Sequence, residues 1–134
     1  MKKFKNENNL MCLLYKPEDW KKGLNFITEE TDFIQAGSWW YDKGKILDAH
    51  THNEFPRTGN RTQEVVFIVC GSMKVNLYTE DHVFIESFIM NKGDLGVFLC
   101  GGHGYEILED DTKIIETKNG PFLGVTADKI KFDG

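Results

Sequence analysis

Short apolar runs separated by polar turn clusters dominate this chain. Runs over 10–15, 24–28, 33–41, 45–50, 64–70, 73–79, 84–90, 96–99, 105–108 and 113–118 are rich in β-branched and aromatic residues. Asp42-Lys43-Gly44, Cys70-Gly71-Ser72, Glu80-Asp81-His82, Asn91-Lys92-Gly93-Asp94, Glu109-Asp110-Asp111 and Asn119-Gly120-Pro121 fall between runs and carry turn chemistry. Pro17-Glu18-Asp19 opens one helical turn reaching Lys22, with proline at its start and acids in its first turn. Strands at this spacing with a single helical turn predict an all-β, antiparallel sandwich or barrel in one domain spanning residues 1–134. Residues 1–9 are polar and are expected to form a mobile or dimer-contacting arm.

Composition narrows the function classes. At 134 residues the chain can bury a real core. A net charge of −5, with no basic block longer than Lys2-Lys3, argues against nucleic acid as the main partner. The apolar stretch 11–15 is far too short for a signal sequence or membrane span, so a cytoplasmic protein without a membrane partner is expected. Cys12, Cys70 and Cys100 are odd in number and lack a CxxC, which fits buried thiols better than a disulfide framework.

Candidate chemistry centres on His50-Thr51-His52, Glu64 and His103. On a strand, an HxH pair puts both rings on one face. Glu64 opens an apolar run, and His103 follows Gly101-Gly102, where the backbone can bend. Three imidazoles and a carboxylate suit one divalent ion, with Zn, Fe, Mn or Ni all compatible; Glu54 is the rival carboxylate. The competing reading is four unrelated polar residues. If His50 and His52 face inward, so do Ile46 and Asp48; Val66, Ile68 and Cys70 follow Glu64, and Tyr105 and Ile107 follow His103.

Further residues could surround such a site. Arg57 and Arg61 lie in the spacer after the HxH and could clamp an anion, or remain solvated. Trp40 could stack on a ring. Glu116 and Lys118 share a strand face, as an acid/base pair or a surface ion pair, and Tyr105 could donate a proton or simply pack. An anionic or sugar-like small molecule is the expected ligand. Unpaired sheet edges point to a homodimer.

The spacing Gly44, His50, His52, Glu64, Gly71 resembles the first motif of the cupins, with a longer spacer before Glu64. Gly93, Gly101 and His103 resemble the second motif in degenerate form, with Leu99 where proline is expected. Together with Glu116 to Gly124, these segments resemble small single-domain cupins associated with bacterial polysaccharide and acidic-sugar biosynthesis. That resemblance implies a jelly roll and a sugar or nucleotide-sugar substrate. The leading expectation is a metal-dependent isomerase or epimerase, with Tyr105 or Glu116 moving the proton. A non-catalytic sugar-binding module and an iron-dependent dioxygenase are the alternatives.

Overall fold

A computed structural model describes residues 1–134. Ten strands form: β1 (Lys2–Asn6), β2 (Asn9–Tyr15), β3 (Gly23–Phe26), β4 (Gly37–Trp40), β5 (Glu64–Cys70), β6 (Ser72–Tyr78), β7 (Phe84–Asn91), β8 (Leu95–Phe98), β9 (Gly102–Ile107) and β10 (Lys113–Lys118). A 3-10 turn covers Pro17–Asp19, and one short helix, α1, covers Val125–Asp128. All pairings are antiparallel, as the alternating runs predict.

A five-stranded sheet, ordered β1-β2-β8-β5-β10, packs against a three-stranded sheet, β7-β6-β9. Period-two alternation sends Phe4, Cys12, Leu14, Val66, Ile68 and Phe98 from the first sheet toward Met73, Val75, Leu77 and Met90. The opposite face of the five-stranded sheet is also covered. Leu13, Tyr15, Val97 and Leu99 pack there with Ile27, beside the β3-β4 hairpin. Tyr15 fastens that hairpin through a hydrogen bond with Ser38, 3.0 Å apart. Burial on both faces explains why β2 and β8 read as continuous apolar runs.

Three sequence expectations need correction. Residues 1–9 are not a mobile arm, because Lys2–Asn6 pair with β2 as an edge strand, which leaves the outer edge of β1 as the place for a dimer contact. Only Phe4 there is apolar and buried, stacked on Phe88 with centroids 4.2 Å apart; the flanking lysines hide the strand signal while protecting the edge. Residues 45–50 form no strand. Ile46 is 81% exposed and gains no partner across a ladder, so His50 and His52 do not share a strand face. A second helical turn, α1, occurs in the C-terminal segment, where none is expected.

Candidate functional site

β5 begins with Glu64, and its two neighbours place a partner on each side. Glu64 lies opposite Phe98 on β8 and opposite Lys118 on β10. Directly opposed residues of an antiparallel ladder share a face, so Phe98, Glu64 and Lys118 form one row pointing at the other sheet. From that sheet comes His103, opposite Leu77 on β6. Gly101 makes this approach possible. Its φ is +77°, and a Cβ there would meet the Tyr78 carbonyl oxygen at 2.6 Å.

His103 Nε2 stands 3.0 Å from Glu64 Oε2. Glu64 is buried, so an unpaired carboxylate there would be costly. The His103 hydrogen bond holds the Glu64 carboxyl below its ordinary value, against the opposing effect of burial. An ionised Glu64 accepts the Nε2–H of His103, which fixes the orientation of the ring. The His103 ring packs against Phe98 and Tyr105, at 4.8 and 5.2 Å between centroids, and those two rings also touch each other.

Lys118 Nζ is the hub of a carboxylate cluster. It lies 3.4 Å from Glu116, 3.7 Å from Asp128 and 3.8 Å from Glu64. Desolvation pulls its pKa down, but those carboxylates outweigh it and hold the ammonium above its ordinary value. Tyr105, 42% exposed, has its phenol pushed up by desolvation and the Glu64 charge from a value already above neutrality. Asn119 steadies the strand entering the site: its Oδ1 accepts from the Gln63 N–H at 2.7 Å, and its Nδ2 donates to the Arg61 carbonyl at 3.1 Å.

These side chains border a groove of about 1290 Å³, lined by Glu64, His103, Tyr105, Glu116, Arg61 and the C-terminal segment. Of the residues singled out from sequence, Glu64, His103, Tyr105, Glu116 and Lys118 are brought together. Arg61 reaches the groove but is paired with Glu80 at 3.2 Å. Arg57 instead lies over the Phe55 ring at 3.7 Å, outside the groove lining, so the two arginines form no clamp. Trp40 faces a separate small cleft, with Lys22 5.7 Å from its ring. Sequence reasoning missed Asp128, Lys129, Lys131 and Phe132. An apolar Phe132 in a charged tail was the available signal.

The structure does not gather the expected metal ligands. No three His, Cys, Asp or Glu side chains are grouped to hold an ion. His50 and His52 lie edge to face 5.0 Å apart on the exposed 41–62 segment, and His50 Nδ1 is 3.0 Å from the Asp48 carbonyl. Glu54 is exposed on the same segment. Glu64 and His103 supply two donors that are spent on each other. As placed, these residues do not fit a metal centre.

No family model, curated protein or solved structure matches the chain. No helix is long and apolar enough to cross a membrane.

Proposed function

We propose that this chain acts on a carbohydrate-like small molecule at the Glu64–His103 groove, by proton transfer of the isomerase or epimerase type. The observation that carries this reading is a buried carboxylate orienting an imidazole at the wall of a groove large enough for a sugar derivative. Glu64 fixes the orientation of the His103 ring and stabilises the imidazolium formed when Nδ1 takes a proton from a carbon next to a carbonyl. Tyr105, held protonated, donates to the developing enolate oxygen. Lys118 offsets one of the three carboxylate charges around it, which lessens the repulsion of an electron-rich intermediate.

A cupin-type jelly roll is the fold that this reading assumes, supported by the antiparallel sheets and the His103–Glu64 contact between them. A two-fold homodimer of roughly 31 kDa, twice 15.4, belongs to the same proposal. The outer edges of β1 and β10 carry no partner within the chain, and light scattering tests whether a second copy associates.

Solvent deuterium incorporation into a panel of sugar phosphates and nucleotide-sugars tests the chemistry. Incorporation next to a carbonyl, lost in His103→Gln, is expected. Binding without incorporation makes the groove a binding module instead of an enzyme site.

A further inference from the structure

Residues 124–134 cross the groove without joining either sheet. Their backbone hydrogen bonds outside strands are internal: Asp128 N–H to the Gly124 carbonyl at 3.0 Å and Lys129 N–H to the Val125 carbonyl at 2.9 Å. Side chains alone fasten the segment to the body. Thr62 Oγ1 donates to Asp128 Oδ1 at 2.8 Å, and Lys118 approaches the other Asp128 oxygen. Phe132 stacks on His82 at 4.0 Å and 5°, and meets Tyr78 edge-on at 5.1 Å. Gly102 permits this seat, because a Cβ there would stand 3.0 Å from Phe132 Cζ.

Lys129, Ile130 and Lys131 lie between the two fastenings, Asp128 and Phe132. Lys129 is extended, with φ −127° and ψ 139°, and extended backbone sends alternate side chains to one side. Both lysines line the groove together with Ile130, which is 82% exposed. Neither lysine has a carboxylate within ion-pair distance, whereas Arg61 is tied to Glu80 and Lys118 to three carboxylates. The groove thus keeps two uncommitted ammonium groups, both on a segment that only side chains fasten to the body. Lys129 is near enough to Glu64 for its charge to help lower that carboxyl's pKa.

We propose that residues 124–134 are a strap that reads an anionic group, phosphate or carboxylate, on the molecule bound in the groove. Lys129 and Lys131 are its contacting cations, while Asp128 and Phe132 are positioning residues that hold them over the site. The inference rests on the groove reading above and adds the charge of its ligand. Ammonium groups suit this task as mobile point charges, with no demand for planar geometry.

Titration of the full chain with glucose 1-phosphate, glucuronate and glucose, followed through backbone amides by NMR, tests it. At least one anion should shift amides 129–132 together with 102–105, and the two anions separate phosphate from carboxylate reading. Glucose should shift 102–105 alone and bind about tenfold more weakly. Lys129→Gln with Lys131→Gln should bring the anion down to the affinity of glucose and leave glucose unchanged. Phe132→Ala should cause the same loss, with Phe132→Tyr restoring it. Shifts at 102–105 with anion affinity unmoved by the double substitution overturn the strap and leave the groove reading standing. If none of the three probes moves 102–105, both readings fall.

Discussion

Glu64 and His103 meet at 3.0 Å although 39 positions separate them (103 − 64) and no ladder joins their strands. Their contact ties the open end of the two-sheet core. Removing the carboxylate should therefore cost stability as well as chemistry. Glu64→Ala strips His103 of its acceptor and Lys118 of one counter-charge, a loss of about 1–3 kcal/mol. Urea denaturation should show it, with Glu64→Gln milder because an amide oxygen can still accept.

The same pair sets a pH dependence. The Glu64 carboxyl titrates lower in the folded chain than its ordinary 4.5. Its contribution is therefore complete above that value and is lost as pH falls through the lower, folded value. The contribution of the ionised Glu64 to the stability gap between wild type and Glu64→Gln should shrink as pH drops below 4.5. A gap that widens on acidification contradicts this sign.

Tyr105 is partly exposed, and desolvation of its phenol together with the Glu64 charge moves it further above its ordinary 10.0, so it is protonated at neutral pH. Tyr105→Phe removes the donor but keeps the ring packed on Phe98, 5.7 Å away. Deuterium incorporation should fall by about two orders of magnitude or more, with little change in melting temperature. Equal loss of both would make Tyr105 a packing residue only.

Metal content separates the donor pairs. The cupin reading expects one divalent ion per chain, absent from His50→Ala/His52→Ala and from His103→Ala alike, which requires the 45–62 segment to leave its exposed course. Elemental analysis of the purified proteins measures this. Metal retained in the His50/His52 double variant rules out the four-ligand set.

Lys118 holds three carboxylates together, so Lys118→Met should be destabilising by about 1–2 kcal/mol, between the ranges for exposed and buried pairs. Added salt should recover part of that loss by screening Glu116 and Asp128 from each other. A salt-independent loss would point to packing of the side-chain stem.

The sequence by itself determined the strand class and most strand positions, because period-two alternation and turn residues are local properties. It also set which residues share a face: Glu64 with Val66 and Ile68, His103 with Tyr105, and Glu116 with Lys118. Local signals failed where a segment's state depends on distant partners. The lysine-rich β1 is a strand because Phe4 reaches the core beside Phe88. The 45–50 run has strand-like composition, yet no neighbouring strand takes its hydrogen bonds. Only the tertiary structure decided that Lys118 lies opposite Glu64, since ladder register is a long-range fact. It likewise decided that Asp128 and Phe132 return to the groove, because their fastenings, Thr62, Lys118, Tyr78 and His82, come from elsewhere in the chain. Chain alternation fixes which way a side chain points; packing between sheets fixes what it meets.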